Sequence, residues 1–456
     1  MKRFVLSCLV SLAVGSLLSP AEAAPQKPNV ILIFTDDQGY GDVGCYGAKG
    51  FKTPNLDRLA ADGVRFTDFY VNCPVCSGSR TALLTGCHYQ RLSMQPVLFP
   101  NSKYGLHPDE VTIAEVLKQQ GYATACIGKW HLGHMPPCLP TMQGFDYYFG
   151  IPYSNDMTID PRAPLSKNIV LREGMTVEKI RTGKPIRNKV PLMRGEEVIE
   201  YPVDQDTLTR RYTEETIRFI RQHKDEPFFV YLPHTMPHLP LHVSKEFAGR
   251  TKTKFGDIME EIDWSVGEIV KAIADLKLDD KTLIIFTTDN GTRSGSSGPL
   301  RGRKASVYEG GIRVPCIMRW KGQIPAGKVC SEVAATIDIL PTLAHLTGAE
   351  LPKRKIDGKN IWPLMKGDPG AKSPHDVYCL AHGRGAVRSG KWKYYPADKQ
   401  AKAELYDLEK DLSETTNVAD QHPEVVKRLQ ASYEAHVADL RKNRRPAALL
   451  KRPELK

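Results

Sequence analysis

The chain has 456 residues, of which 41% are hydrophobic and 25% are charged. This is an ordinary globular composition, and it excludes a disordered or low-complexity protein. The formal net charge is +11, which favours anionic partners. No stripe of alternating aromatic and basic residues accompanies the charge, so we do not expect nucleic acid as a partner.

Residues 1–23 have the pattern of a secretory signal peptide. Lys2 and Arg3 precede an apolar run over residues 4–18, and Ala21-Glu22-Ala23 has the small-x-small form of a cleavage site. The run is shorter than the roughly 20 residues that a membrane span requires, although an uncleaved anchor is the alternative. We therefore expect an exported protein, periplasmic or secreted, without a stable membrane anchor.

Ten cysteines are present, and Cys8 lies in the predicted signal peptide. Cys73 and Cys76 form a C-P-V-C pair, but no second pair completes a zinc-binding pattern. A redox or metal pair at these two positions is the alternative. An exported protein could oxidise some of the other cysteines to disulfides.

Short apolar runs alternate with segments of helical periodicity along the first 290 residues. In chain order, the predicted elements are a strand at 29–34, helices at 55–62 and 112–119, a strand at 123–127, a helix at 208–223, a strand at 227–232, a helix at 258–276 and a strand at 282–286. This order predicts an α/β fold with a large, mainly parallel central sheet flanked by helices.

The pattern changes beyond residue 340. Residues 387–395 predict two strands joined by a turn, 403–408 predict another strand, and 423–441 predict a closing helix. Residues 155–207 lack clear periodicity and are predicted to form an irregular insertion near the site. We expect a signal peptide at 1–23, a catalytic domain at 24–340, and a small α+β subdomain with an antiparallel sheet at 341–456.

Polar side chains follow each of the four predicted strands. In an open α/β sheet, ligands bind beyond the carboxyl ends of the strands, so these side chains should meet at one edge. The residues, in strand order, are Asp36 and Asp37, then Lys129 and His131, then His234 and His238, then Asp289 and Asn290.

Four of these residues, Asp36, Asp37, Asp289 and Asn290, offer only oxygen ligands. Such a set suits Ca²⁺ or Mg²⁺ rather than zinc, and adjacent carboxylates without a cation would repel each other. Taken alone, Asp-Asp is typical of a cap or turn and Asp-Asn-Gly of a turn. The coincidence of four strand ends favours a site.

Residues 76–86, with the sequence CSGSRTALLTG, resemble the signature of the formylglycine-dependent sulfatases in the alkaline phosphatase superfamily. The chain departs from that signature at Gly78, where Pro or Ala is usual. IPYS at 151–154 is most similar to the arylsulfatase A branch. Other similar segments stand in the family's order: NVILIFTDDQGYGD at 29–42, GKWHLG at 128–133, PHLP at 237–240, TTDNG at 287–291, KASVYEGGIRVP at 304–315 and LYDLEKDLSETTNVA at 405–419.

The resemblance implies a sulfatase that hydrolyses a sulfate ester, with a sulfated small molecule or glycan as substrate. A maturation enzyme would oxidise Cys76 to formylglycine, whose hydrate is the nucleophile. The implied cation is Ca²⁺, with Mg²⁺ as the alternative. Its implied ligands are Asp36, Asp37, Cys76, Asp289 and Asn290.

The resemblance also implies roles for the remaining site residues. Arg80 would hold the formylglycine, and Lys129 and Lys304 would stabilise charge on the sulfate. His238 would contact the sulfate and protonate the leaving oxygen, a role that Lys304 could share. His131 would be the base that drives sulfate release.

Several assignments remain open at this stage. Ser154 resembles a residue that contacts sulfate, and His234 is the alternative to His238. His242, Tyr153 and Asn155 are further candidates for the pocket lining. A phosphodiester or phosphonate monoester hydrolase on the same scaffold is an alternative function, and so is a non-catalytic binder of sulfated glycans with an unmodified Cys76.

Overall fold

The computed structural model describes residues 27–454, so the predicted signal peptide lies outside the described residues. Within that range the strands are β1 (Asn29–Thr35), β2 (Val64–Phe66), β3 (Phe69–Tyr70), β4 (Tyr104–Gly105), β5 (Ala123–Ile127), β6 (Tyr147–Gly150), β7 (Leu165–Leu171), β8 (Leu192–Arg194), β9 (Glu197–Tyr201), β10 (Phe228–Pro233), β11 (Thr282–Thr288), β12 (Cys316–Arg319), β13 (Lys328–Cys330), β14 (Ala334–Ala335), β15 (Tyr378–Leu380), β16 (Ala386–Ser389), β17 (Trp392–Tyr395), β18 (Glu404–Asp407) and β19 (Ala448–Leu449).

The helices of the same range pack on both faces of the main sheet and on the smaller C-terminal sheet. They are α1 (Pro54–Ala61), α2 (Cys76–Thr85), α3 (Ile113–Lys118), α4 (Val177–Thr182), α5 (Leu208–Gln222), α6 (Lys254–Asp275), α7 (Glu309–Ile312), α8 (Ile339–Thr347), α9 (Trp362–Lys366) and α10 (Pro423–Lys442). Among residues 27–454, no helix is long and apolar enough to cross a membrane.

Eleven strands of the described chain form one sheet, in the order β13-β2-β12-β11-β1-β10-β5-β6-β8-β9-β7. The central strands, β11-β1-β10-β5-β6, are parallel, whereas β12 and β8 introduce antiparallel pairs on either side. Because β1, β10 and β11 are covered on both faces, their sequences are continuous apolar runs. The predicted α/β fold with a mainly parallel central sheet is confirmed.

Alternate side chains of β1 enter two different hydrophobic cores. Val30, Leu32 and Phe34 belong to the core that includes residues of α2, α3 and α8. Ile31 and Ile33 belong to the core that includes residues of α1, α5 and α6. Helices therefore cover both faces of the sheet. Because the faces are buried against these helices, polar groups collect at the ends of the strands.

The prediction of an irregular insertion at 155–207 is wrong. This segment contains β7, α4, β8 and β9, and its strands extend the main sheet beyond β6. Most side chains of β7 are half-buried or exposed. A strand at the edge of a sheet needs little apolar surface, so the segment lacks the periodicity that would have revealed it.

The C-terminal part contains a separate antiparallel sheet with the order β15-β16-β17-β18. Helix α10 packs on this sheet, where Leu429 joins Val387, Tyr394 and Leu405 in a small core. The predicted antiparallel sheet is confirmed. The division of the chain at residue 340 stays a prediction.

A buried cluster of charges joins the C-terminal sheet to α7. The carboxylate of Glu309 accepts from Lys393 Nζ at 2.5 Å and from Tyr70 Oη at 2.7 Å. Arg313 Nη1 lies 3.3 Å from the same carboxylate. Burial by itself would raise the pKa of Glu309, but the positive charges of Lys393 and Arg313 have the larger effect and lower the pKa to about 2. The carboxylate therefore stays charged, and the stability of the fold depends on the cations that pair with it.

We predict that Lys393→Met destabilises the fold by about 3–5 kcal/mol, because the buried Glu309 carboxylate would lose its closest cation. Lys391→Met is the matched control. Lys391 lies two residues away, is 35% exposed and pairs with Asp407 at 2.7 Å, so its loss should cost about 1 kcal/mol or less. Urea unfolding of both variants measures the difference, and equal losses would contradict the prediction.

Candidate active site

The loops that follow β1 and β11 bring four polar residues together at one edge of the sheet. Asp36 and Asp37 follow β1, and Asp289 and Asn290 follow β11, its parallel neighbour. The backbone N–H of Asp37 donates to Asp289 Oδ1 at 3.1 Å, and Asn290 Nδ2 donates to Asp37 Oδ1 at 2.7 Å. All four side chains are fully buried. Asp37 has a φ of 63°, a left-handed conformation that Asp tolerates better than most residues.

Cys76 is the first residue of α2 and faces this group of oxygens. Its thiol donates to Asp36 Oδ1 at 3.6 Å, and Lys304 Nζ lies 3.5 Å from its Sγ. One ligand atom from each of Asp36, Asp37, Cys76 and His238 lies within 4.8 Å of the others. Burial raises the pKa of the Cys76 thiol to about 12. An unmodified thiol here is therefore neutral at physiological pH and a poor nucleophile.

Arg80 lies one helical turn after Cys76 and points into the same site. Its Nη2 donates to Asp289 Oδ2 at 2.8 Å, and its Nη1 donates to the Lys129 carbonyl oxygen at 3.1 Å. Lys129 Nζ lies 2.6 Å from Asp36 Oδ2. Three cations, Arg80, Lys129 and Lys304, thus face three buried carboxylates, since Lys304 Nζ lies 2.6 Å from Asp37.

The pKa values of Asp36 and Asp289 shift in opposite directions. Burial raises the pKa of Asp36, but the surrounding cations, with Lys129 first, lower it well below its usual range. Burial, and then repulsion from Asp36, raise the pKa of Asp289 to about 7. These opposite shifts show that negative charge is crowded at this edge of the sheet.

Two oxygen atoms at the centre of the site are buried without a hydrogen-bond partner. They are Asp37 Oδ2 and Asn290 Oδ1. A buried oxygen without a partner is costly, and carboxylate and amide oxygens are the ligands that Ca²⁺ and Mg²⁺ prefer. The residues therefore fit a hard divalent cation, which would satisfy both atoms and relieve the repulsion between the carboxylates.

His238 forms one wall of the site. Its Nε2 lies 3.8 Å from Asp37 Oδ2 and 3.3 Å from Ser154 Oγ. Its Nδ1 lies 2.8 Å from Asn155 Oδ1 and 2.6 Å from the Leu239 carbonyl oxygen. Both neighbours are acceptors, so Nδ1 carries the proton and Nε2 faces the site. Burial lowers the pKa of His238.

His234 takes a different position from His238. Its Nε2 lies 3.3 Å from Ser265 Oγ in α6, and its ring lies beside Tyr212. Of the two histidines that follow β10, His238 is the one beside Asp37. His242 lies further out and pairs with Asp206 at 2.7 Å.

His131 forms a second wall after β5. Its Nε2 lies 2.7 Å from the Leu98 carbonyl oxygen, so Nε2 carries the proton. Its Nδ1 is buried without a partner. Lys129 Nζ, two residues earlier, lies 3.4 Å from Ser154 Oγ, which ties Ser154 to the same site.

Sequence reasoning missed two groups that orient these histidines. The carbonyl of Leu98 fixes His131, and Gln205 exchanges hydrogen bonds of 3.1 Å with the side chain and carbonyl of Asn155, the partner of His238. A main-chain carbonyl leaves no signal in a sequence. Gln205 lies in the segment without periodicity, so no motif pointed to it.

The fold and site can be compared with known proteins. The family model "Sulfatase" matches residues 28–349, and the model "N-sulphoglucosamine sulphohydrolase, C-terminal" matches residues 303–443. Human (Homo sapiens) arylsulfatase A is 39% identical over 93% of this chain and 89% of its own. Mouse (Mus musculus) steryl-sulfatase is 34% identical over 93% of this chain and 84% of its own. The chain therefore belongs to the sulfatase family.

A solved structure agrees with this assignment. The crystal structure of Ps i-CgsB in complex with k-i-k-neocarrahexaose has a TM-score of 0.79 and 31% identity, and the match covers 90% of this chain and 92% of that one. Within the family the chain is similar to arylsulfatase A. Like its relatives, it is a sulfuric ester hydrolase.

Gly78, where the chain departs from the family signature, packs directly against Cys73. A Cβ atom at position 78 would lie 2.6 Å from Cys73 Sγ, 3.0 Å from Cys73 Cβ and 3.2 Å from Tyr89 Cδ1. The first contact is far inside the van der Waals distance. The thiol of Cys73 thus occupies the space that the side chain of the usual residue would need.

We predict that Gly78→Ala destabilises the protein by about 1–3 kcal/mol because it overpacks the helix against Cys73. In a Cys73→Ala background the 2.6 Å contact with Sγ is gone, although the contacts with the Cβ of residue 73 and with Tyr89 Cδ1 remain. The same change should then cost less, since alanine also favours a helix over glycine by about 1 kcal/mol. Thermal or urea unfolding of the four proteins in this double-mutant cycle measures the coupling. Additive effects would contradict the prediction.

Proposed function

We propose that this protein hydrolyses a sulfate ester with a formylglycine made from Cys76 and a divalent cation, Ca²⁺ or alternatively Mg²⁺. Asp36, Asp37, Asp289 and Asn290 would hold the cation together with residue 76. The supporting observation is the position of Cys76 Sγ, at the start of a buried helix, 3.6 Å from Asp36 Oδ1 and 3.5 Å from Lys304 Nζ. An oxygen on the same Cβ would lie among carboxylates and cations.

The environment of residue 76 gives a reason for the modification. The raised pKa of the Cys76 thiol makes the unmodified residue unsuitable as a nucleophile. A hydrated aldehyde supplies two hydroxyl groups on one carbon, one to attack sulfur and one whose deprotonation expels the sulfate. A serine or cysteine has no second hydroxyl, so its sulfate ester would have to wait for water. The modification thus divides one hard step into two easier ones.

The charges around residue 76 suit a sulfate monoester. Arg80, Lys129 and Lys304 balance the three carboxylates, so a bound divalent cation leaves the site positive and complementary to the monoanionic substrate. When bound, that cation lowers the pKa of a hydroxyl and stabilises negative charge. Burial lowers the pKa of Lys304, but Cys76 and Asp37 raise it more, so Lys304 remains a fixed positive charge beside the reacting group.

The two histidines divide the proton transfers. We assign to His238 the protonation of the leaving oxygen, which requires its imidazolium form, with Nδ1–H donating to Asn155 and Nε2–H facing Asp37 and Ser154. The carboxylates of Asp36 and Asp37 favour that charged form and oppose the effect of burial on its pKa, and Lys304 Nζ assists as a second proton donor. Nδ1 of His131 has no partner, and we assign to it the acceptance of the proton when sulfate is expelled. Ser154, beside Lys129, is assigned to a sulfate oxygen.

We propose a sulfated carbohydrate as the substrate class, with a sulfated small molecule such as an aryl sulfate as the alternative. Two observations support the carbohydrate. Ps i-CgsB, which is similar over 90% of this chain, was solved with a neocarrahexaose. The net charge of +11 also favours a polyanionic partner. The proposal includes export to the periplasm or the medium, and a maturation enzyme as a transient partner.

Mass spectrometry of the tryptic peptide spanning residues 66–80 tests the proposal. We predict an aldehyde at residue 76 and an intact thiol at Cys73, which serves as an internal control in the same peptide. Cys76→Ala should abolish hydrolysis of a chromogenic aryl sulfate, while Cys73→Ala should retain it. An unaltered Cys76 in active protein would contradict the mechanism.

Hydrolysis of a phosphodiester or phosphonate monoester that is faster than hydrolysis of any sulfate ester would favour the alternative function.

We also predict that a chelator abolishes activity and lowers the melting temperature, and that Ca²⁺ restores both. At a Ca²⁺ concentration a hundred times Kd, the free energy of unfolding should rise by about 2.7 kcal/mol.

Asp37→Asn should weaken Ca²⁺ binding, measured by titration calorimetry, by about tenfold or more because it removes a ligand charge. Asp206→Asn, at a half-exposed carboxylate paired with His242, should leave Ca²⁺ affinity unchanged. Equal affinities of the two variants would exclude Asp37 as a ligand.

A further inference from the structure

Residues 444–452 form an extended segment, here called the C-terminal strap, that lies beyond both matched family models, which end at residues 349 and 443. Its strand β19 pairs antiparallel with β4. Leu450 N–H donates to the Lys103 carbonyl at 2.8 Å, and Lys451 N–H donates to the Pro136 carbonyl at 2.7 Å. The strap is thus fixed to the body of the catalytic part by main-chain hydrogen bonds.

The strap covers the loop at residues 93–103. At one end, Ser93 Oγ donates to the Arg445 carbonyl at 2.6 Å. At the other end, the guanidinium of Arg452 donates to the carbonyls of Pro100 at 3.2 Å and Asn101 at 3.3 Å. The strap therefore holds this loop at both of its ends.

The opposite side of the same loop contacts the catalytic elements. The Gly78 N–H donates to the Pro96 carbonyl at 3.0 Å, and the Leu98 N–H donates to Ser77 Oγ at 3.0 Å. The Leu98 carbonyl accepts from His131 Nε2 at 2.7 Å. The loop is therefore a layer between the strap and the first turn of α2, and it fixes the tautomer of His131.

Arg452 also reaches Asp160, six residues after Ser154. Its Nη2 lies 2.6 Å from Asp160 Oδ2, a fully buried carboxylate that also contacts His134 Nε2 at 2.9 Å. The backbone N–H of Asp160 donates to Tyr153 Oη at 3.1 Å, and Tyr153 precedes Ser154. One guanidinium thus joins the loop that fixes His131 to the segment that carries Ser154.

We propose that Arg452 is a positioning residue for sulfate ester hydrolysis, which acts by holding the loop at residues 93–103 against His131. This inference rests on the proposed roles of His131 and Ser154. Without Arg452, the loop loses its hydrogen bonds at the carbonyls of Pro100 and Asn101, two and three residues after Leu98. The Leu98 carbonyl, and with it the His131 ring that it orients, then gains freedom to shift. A misplacement of about 1 Å can cost about a hundredfold in rate, so a contact remote from the chemistry can control kcat.

The experiment compares Arg452→Ala and Arg452→Lys with Lys451→Ala, which removes the same charge one residue earlier from an exposed side chain. We expect Arg452→Ala to lower kcat by about tenfold or more with a smaller change in KM. Arg452→Lys should lose most of this rate too, because an ammonium cannot reach two carbonyls and Asp160 in the planar geometry of a guanidinium. Lys451→Ala should match the parent protein.

Hydrogen–deuterium exchange separates positioning from loss of fold. Peptides covering residues 93–103 should exchange faster in Arg452→Ala, while peptides covering β1 and β10 should not change. The extent of Cys76 conversion is measured in every variant, and kcat is expressed per converted molecule. An unchanged kcat overturns the inference, and so does a lowered kcat without faster exchange in the loop. Activity in Cys76→Ala would instead refute the proposed function, so the two failures are distinguishable.

Discussion

The balance of three buried carboxylates against three cations at one edge of the sheet is the constraint on which the rest of this structure depends. A buried charge without a partner costs several kcal/mol, so Asp36, Asp37 and Asp289 can occupy the interior only if cations reach them. Those cations come from three distant parts of the chain, because Arg80 lies on α2, Lys129 follows β5 and Lys304 follows β11. The charge balance therefore requires that the parallel strands and α2 be assembled in one particular arrangement.

The order of the central strands explains how this arrangement arises. Strands β11, β1, β10 and β5 are parallel neighbours, so the residues that follow them leave the sheet at the same edge. Helix α2 then adds Cys76 and Arg80, one turn apart on the same face. Apolar packing on both faces of the sheet holds these ends in register. A crowded polar site can exist because mainly apolar cores on both faces of the sheet support it.

The sequence was sufficient to predict β1, β5, β10 and β11 and the residues that follow them, since a strand buried on both faces must be a continuous apolar run. The same reasoning failed for residues 155–207, where the side chains of β7 are half-buried or exposed and therefore show no such run. It also failed for Leu98 and Gln205, which act on His131 and Asn155 across the fold. Their contribution depends on a carbonyl direction and on long-range contacts, and neither has a local pattern in the sequence.

The site has two parts, which differ in what holds them in place. The groups proposed for chemistry lie at the ends of rigid strands and at the start of α2, where packing leaves them little freedom. The walls are built from the loop at residues 93–103, the segment around Ser154 and the C-terminal strap, which are joined mainly by hydrogen bonds to main-chain carbonyls. Such contacts depend on a few side chains, such as Ser93 and Arg452, that lie outside the charge balance beneath them. The two parts meet at His131, which follows the rigid strand β5 but takes its orientation from the Leu98 carbonyl of the wall loop.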